Sequence, residues 1–246
     1  MKPGTPDFGR LAADYDRVRP TDDSWRNIFQ LVVTEADLRG RSVLDCGCGT
    51  GRLAKALAEE CGASVTGVDA EPAMLAVGRS NSPGTVDLRE GRAEDLPFPD
   101  ALFERAVLWL VCHLVDRPVS FRELGRVLAE NGRLVVVTFD PAHFDGFWLN
   151  TYFPSLEGVD RARFPTRDRL ETELADAGFG TLRFLRRSQW VSVSREDALE
   201  RIRARHISTF DLLDPYEVRT GTERAMEELP TVVEYAIEWL IAIAEH

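Results

Sequence analysis

Between residues 24 and 140, short apolar runs alternate with stretches whose apolar residues recur every third or fourth position. The first pattern reads as strands buried on both faces, the second as amphipathic helices. The spacing of Trp25, Ile28, Phe29, Val32 and Val33 predicts a helix over 24–38. Thr21, Asp22, Asp23 and Ser24 are candidate N-caps for it, and Gly40 comes just after its end. A strand over 42–45 leads through a glycine turn into a helix over about 51–60, with Leu53, Ala56, Leu57 and Cys61 on one face. Further strands are predicted at 64–69, 86–91, 105–111 and 133–139, with helices from Pro72 and over 118–128. Gly62 and Asn131-Gly132 mark turns. Strands and helices in this alternation imply an α/β fold with a parallel sheet covered on both faces.

The flanks differ. Phe8 to Asp16 is a short amphipathic stretch, and the run from Arg17 to Pro20 breaks the helix. After Asp140 the rhythm changes, and Phe144, Phe147, Trp148, Tyr152 and Phe153 crowd into 143–153. A helix capped by Thr166 or Asp168 runs to Ala177, and 179–193 reads as one strand or a pair. Helices at 195–205 (capped by Ser194) and 215–228 form an insertion, and Val233, Tyr235, Ile237 and Trp239 predict a last strand at 231–244.

Composition narrows the classes. A chain of 246 residues buries a full core, and no apolar run reaches the ~20 residues of a membrane span. Met1 to Asp7 carry no apolar h-region, so no secretory signal is expected. Cys46, Cys48, Cys61 and Cys112 lack zinc-ribbon spacing. They read as small apolar residues in a reduced cytosol, so a cytoplasmic location and no metal are expected. A net charge of −11 argues against a nucleic-acid partner.

The chemistry centres on residues 43–54, where Gly47, Gly49 and Gly51 fall on alternate positions between strand and helix. Such a turn brings backbone N–H groups and a helix N-terminus to the carboxyl edge of a sheet, where open α/β sheets bind ligands. Dinucleotide binding calls for G-x-G-x-x-G, but here the third glycine comes one position early and Arg52 holds its place. Lys55 is not placed for a phosphate loop either. The turn suits a nucleoside without phosphates. Asp69, at the end of the second strand, is placed to accept both ribose hydroxyl hydrogens, and Glu94-Asp95 to meet an adenine amino group.

Together these residues resemble the class I S-adenosylmethionine-dependent methyltransferases. Asp45, Gly47, Gly49 and Gly51 keep the D-x-G-x-G-x-G core of that family's first motif, and 65–69 with Pro72 and Met74-Leu75 is similar to its second segment. Residues 94–98, and 105–111 with His113 and Asp116, match the third in the small-molecule branch that includes ubiquinone-type and trans-aconitate-type enzymes. Residues 124–139 match the fourth, and Phe8 to Pro20 resembles the branch's N-terminal stretch. Glu104, where the family commonly has another acid, and Trp109, where small residues are common, depart from the pattern.

The resemblance implies a Rossmann-like, mostly parallel seven-stranded sheet with the last strand antiparallel and a helical insertion before it. It divides the chain into an N-terminal lid (1–40), a cofactor-binding core (41–193), the insertion (194–230) and the final strand (231–246). S-adenosylmethionine is the implied cofactor. Its methionine part would lie over the glycine turn, its ribose against Asp69, and its adenine against Ala70 or Met74 with Glu94 or Asp95 at the amino group. Ala93 and Leu108 complete that set, and Tyr15 and Arg19 would act as a lid. The implied reaction is methyl transfer to a small-molecule acceptor by in-line displacement, in a monomer or homodimer. His113, leaving the fourth strand, is the best candidate base, ahead of His143, Tyr15 and Tyr152. Trp109, His113, Phe144, Trp148 and Tyr152 are the candidate acceptor residues, the aromatic run pointing to an apolar or planar acceptor. Arginines at 161, 163, 167, 169, 201, 203 and 205 read as solvated helix faces, with attraction of an anionic acceptor as the alternative. A non-catalytic cofactor-binding protein and a nicotinamide oxidoreductase remain as alternative functions.

Overall fold

The computed structural model describes residues 6–19, 21–81, 84 and 86–246. Pro20 and most of the Met1–Asp7 stretch lie outside the described residues. Seven strands form one sheet: β1 (Ser42–Cys46), β2 (Ser64–Asp69), β3 (Asp87–Glu90), β4 (Phe103–Trp109), β5 (Leu128–Phe139), β6 (Thr181–Ser194) and β7 (Val232–Glu245). Their order is β3-β2-β1-β4-β5-β7-β6. β1 to β5 pair in parallel, and β7 runs antiparallel to both β5 and β6. The order reverses between β1 and β4, so the crevice at their carboxyl ends is the switch point where such sheets bind ligands.

Alternate side chains of the central strands feed two cores. Val43, Val107, Val135 and Ile241 meet Trp25, Ile28, Phe29, Val32 and Val33 of α3 (Asp23–Glu35) and Leu53, Ala54 and Leu57 of α4 (Arg52–Cys61). Leu44, Leu108, Val136 and Ala242 face the other way. They pack on Phe121 and Leu124 of α6 (Arg117–Val127) and on Leu170 and Leu174 of α8 (Arg167–Asp176). On the β3 side of the sheet, α5 (Pro72–Asn81) comes after β2. Two short helices, α1 (Phe8–Leu11) and α2 (Tyr15–Val18), precede α3, and Leu11 and Ala12 pack on Met74 of α5.

The elements fall close to the expected positions, with instructive differences. β5 starts directly after α6, and the expected turn at Asn131-Gly132 lies inside it, with Asn131 in the left-handed region at φ 60°. The register irregularity at Phe103/Arg105 absorbs that kink. β4 stops at Trp109, two residues before the expected end. Residues 179–193 form a single edge strand rather than a pair. Its polar outward face hid its length.

A third core lies beyond the sheet's carboxyl edge. Phe147, Leu149, Phe153 and Leu156 pack there with Ala198, Ile202, Phe210, Val218 and Ala225. They come from two segments: the turns at Pro141–Phe144 and Trp148–Thr151 with α7 (Leu156–Arg163), and then α9 (Arg195–Arg203), the turn at Ser208–Leu212 and α10 (Pro215–Glu228). α7 was not predicted from the sequence, because in eight residues its apolar period amounts to Leu156 and Val159 alone. Gly221 of α10 sits so close to the aromatic segment that a Cβ there would lie 2.5 Å from the Phe153 ring and from the Tyr152 carbonyl. The β6–β7 pair carries this cap. The two strands pair along Thr181–Ser194 and Val232–Glu245, whereas β5 accompanies β7 only as far as Phe139 opposite Trp239. The remainder is a two-stranded arm that projects past the sheet edge.

Candidate functional site

A cavity of about 590 Å³ opens at the switch point, floored by the carboxyl ends of β1, β2 and β4 and roofed by α2, the cap and the β6–β7 arm. Asp45 stands one residue before the end of β1 and is buried, with its Oδ2 accepting the Ala54 N–H in the first turn of α4 at 3.1 Å. Burial, and then the charge of Asp69, raise its carboxyl to about 7. The three turn glycines all have positive φ, at 77°, 57° and 75° for Gly47, Gly49 and Gly51. Their roles differ. A Cβ at Gly47 would strike Val111 at 2.5 Å, whereas one at Gly49 would meet no atom within 4 Å. Gly51 caps α4 against Leu88 and does not line the cavity.

Asp69 ties the edge together. Its Oδ2 accepts the Gly49 N–H at 2.7 Å and its Oδ1 the Glu71 N–H at 2.9 Å, and the Ala70 N–H also acts on the carboxylate. Burial raises its pKa. Ala70, Met74, Ala93 and Glu94 also line the cavity. Glu94 accepts the Asp116 N–H at 3.0 Å and pairs with Arg92 at 3.3 Å. Asp95 is exposed and off the wall, and Leu108 is buried in the sheet core on the α6 side. Of the cofactor residues expected from sequence, those two and Gly51 do not reach the cavity. In the turn after β3, Glu94 faces the cavity and Asp95 faces solvent.

The N-terminal helices close over the turn. Arg19 donates from Nη1 to the Tyr15 hydroxyl at 2.7 Å and from Nε to the His206 carbonyl at 2.7 Å. Thr50 donates to Asp16 at 2.7 Å, and Arg52 donates to the Arg19 carbonyl while lying 5.5 Å over the Trp25 ring. Arg52 is thereby committed, and no other cation on the turn is placed for phosphate.

Trp109, His113 and Phe144 line the other half of the cavity. His113 stacks on Phe164 with ring centroids 4.0 Å apart, and Trp109 lies 5.6 Å from Trp25. Burial, with Arg163, Arg19 and Arg117 nearby, holds His113 well below the usual histidine range. His143 falls to about 4 through burial, and His206 to about 3 through burial, Arg19 and Arg201. All three rings are neutral at neutral pH. Only His113 keeps a buried ring nitrogen, Nδ1, without a partner, and Trp109 Nε1 is likewise buried and unpaired.

Trp148 and Tyr152 are not on the wall. Tyr152 is buried in the cap against α10, and Trp148 packs 6.2 Å from Phe147 behind it. The aromatic run had no period to say which rings turn inward. Conversely, the arm places Val191, Tyr235, Ile237 and Trp239 on the wall, and the cap adds Arg201 and Ser208. The alternation of Tyr235, Ile237 and Trp239 was visible in the sequence; that it faces a ligand chamber was not.

An open cradle at Gly49, a carboxylate at Asp69 on the cavity wall and, among the described residues, no free cation on the glycine turn itself fit a nucleoside with no phosphate. The comparisons agree. A model of the methyltransferase domain matches residues 44–136. The demethylmenaquinone methyltransferase of Thermus thermophilus is 33% identical over 202 residues, covering 70% of this chain and 90% of the relative. The malonyl-[acyl-carrier protein] O-methyltransferase of Geobacter sulfurreducens is 34% identical over 187 residues, covering 70% of this chain and 68% of the relative. The crystal structure of the YcgJ protein from Bacillus subtilis shares the fold with a TM-score of 0.64 at 17% identity, over 89% of this chain and 98% of that one. The oxidoreductase alternative, which needed a glycine in place of Arg52, therefore falls, and so does a binder without catalysis. With its seven-stranded Rossmann-like sheet and intact glycine turn, the chain belongs to the class I S-adenosylmethionine-dependent methyltransferases, enzymes acting on small-molecule acceptors.

Proposed function

We propose that the cavity is one chamber with two halves. The half at Gly47, Gly49, Asp69, Ala70, Met74, Ala93 and Glu94 holds the cofactor beneath Tyr15 and Arg19. The half at Trp109, His113 and Phe144 holds a planar acceptor. Bound S-adenosylmethionine supplies an activated methyl group, so alignment of the acceptor is the protein's main contribution, worth up to ~7–11 kcal/mol. The aromatic wall aligns a flat molecule and keeps water out. His113 takes the acceptor's proton at Nδ1, since it is neutral, buried and without another partner. That orphaned nitrogen, on a residue that lines the crevice, is the observation that carries the reading.

The relatives are named for two different acceptors, a demethylmenaquinone and a malonyl-[acyl-carrier protein]. A free small molecule rather than a nucleic acid suits the net charge of −11. Among the described residues no helix is long and apolar enough to cross a membrane. The four free, buried thiols suit the cytoplasm, and a chamber closed by one chain suits a monomer or a homodimer.

The test is turnover of methyl-labelled S-adenosylmethionine against a panel of small acceptors. His113→Gln is expected to cut kcat by about 10²–10⁴-fold, with S-adenosylhomocysteine affinity within threefold of wild type. Because burial and nearby arginines depress the His113 pKa, wild-type kcat/KM should be flat across neutral and alkaline pH and fall only on the acid side of the usual histidine range. More than half of wild-type turnover in the variant would remove His113 from the chemistry.

A further inference from the structure

We infer that the acceptor carries an acidic group, a carboxylate or comparably acidic hydroxyl, held by Arg201 at the junction of α9 and the β6–β7 arm. The inference rests on the two-half reading of the chamber and adds the charge of its second ligand.

Four arginines lie on the chamber wall: Arg19, Arg52, Arg92 and Arg201. Three have an evident occupation. Arg19 holds Tyr15 and the His206 carbonyl, Arg52 the Arg19 carbonyl, and Arg92 the carboxylate of Glu94. Arg201 makes no ion pair among the described residues. Its one side-chain partner there is the Tyr235 hydroxyl, at 3.5 Å from Nη1. Other arginines of the N-terminal helices and the cap are paired: Arg17 with Glu200, Arg10 and Arg205 with Asp211, and Arg163 with Asp160. In a chain with 41 acidic and 30 basic residues, a half-buried guanidinium with four unused N–H groups is out of the ordinary.

The surroundings point to an anion. Arg201 stands in the last turn of α9, where the helix's carbonyl end stabilises a cation without any carboxylate. The acids on this side of the chamber, Asp22 and Asp160, make no ion pair with Arg201 among the described residues. Asp22 accepts the Trp25 N–H at 2.9 Å, and Asp160 accepts the Thr209 hydroxyl at 2.6 Å. The planar fork of Arg201 therefore offers two parallel donors to a carboxylate that enters beside the rings of Tyr235 and Phe147.

The probes are matched aromatic pairs that differ only in the acidic group, salicylate with salicylamide and phenylacetate with phenylacetamide. Each is titrated calorimetrically into protein saturated with S-adenosylhomocysteine. Wild type is expected to bind the acids at least tenfold more tightly than the amides. Arg201→Gln should reduce that preference to below twofold, and Arg201→Lys should retain part of it. S-adenosylhomocysteine should bind both variants within threefold of wild type, which also reports that they are folded. The inference is overturned if wild type binds amides as well as acids or binds no acid, or if Arg201→Gln keeps the preference. It is equally overturned if Arg201→Gln loses S-adenosylhomocysteine in the same proportion, since Arg201 would then belong to the cofactor half. Failure of wild type to bind S-adenosylhomocysteine at all would instead sink the two-half reading beneath it.

Discussion

Asp45 and Asp69 are two carboxylates at one sheet edge with different duties. Asp69 accepts the Gly49 N–H on the chamber wall, whereas Asp45 turns inward to hold the first turn of α4. Burial makes Asp45 costly to ionise, and this sets the sign of its pH effect. The unfolded carboxyl ionises near 3.8 but the folded one only at about 7, so the folded protein retains a proton that the unfolded chain loses in between. Its contribution is therefore present below pH ~4 and lost as the pH rises through about 7. Asp45→Asn keeps an oxygen for the Ala54 N–H and removes the titration. Its melting temperature relative to wild type should rise steadily between pH 4 and pH 8, as followed by circular dichroism; a pH-independent difference would contradict this. The position of Asp69 on the cavity wall was legible, because an acid closes a strand at the sheet edge beside a glycine turn. The choice between Glu94 and Asp95 was not, since it depends on which of two neighbours the loop turns inward.

At the level of elements, the N-terminal helices and the cap hold each other. The side chain of Asp211, only 10% exposed, pairs with Arg10 at 3.1 Å and also accepts the Asp7 N–H at 3.0 Å. Arg205 approaches it at 3.7 Å. Asp211→Asn removes the charge from this junction, at a cost of roughly 1–2 kcal/mol after allowing for partial exposure. That corresponds to a 5–30-fold larger open population, so trypsin should cleave after Arg10 or Arg17 correspondingly faster, and S-adenosylhomocysteine should protect. Unchanged cleavage would mean that the junction does not hold the N-terminal helices. Such a junction cannot be read from sequence, because its partners lie some 200 residues apart. The parallel strands were legible as buried apolar runs. The arm was legible as strands but not as a wall, since its projection depends on where β5 stops.

At the scale of the whole molecule, two cores clamp the sheet and a third supports the cap, with the chamber where they meet. The chemistry common to the family sits on the sheet edge, and the features particular to this chain sit on the cap and arm. The cavity wall at the glycine turn was therefore readable from local spacing. The opposite wall, assembled from residues as far apart as Trp109, Arg201 and Tyr235, was only partly so. Everything proposed for it depends on the cofactor lying over the glycine turn against Asp69. Calorimetric titration of S-adenosylhomocysteine into wild type, Asp69→Asn and Gly49→Val tests that dependence directly. One site per chain in the wild type is expected. Asp69→Asn should weaken it at least tenfold through loss of charge-assisted hydrogen bonds, and Gly49→Val should abolish it, by filling the cradle and straining a left-handed residue. Wild-type affinity in both variants, or no binding to the wild type, would contradict the account.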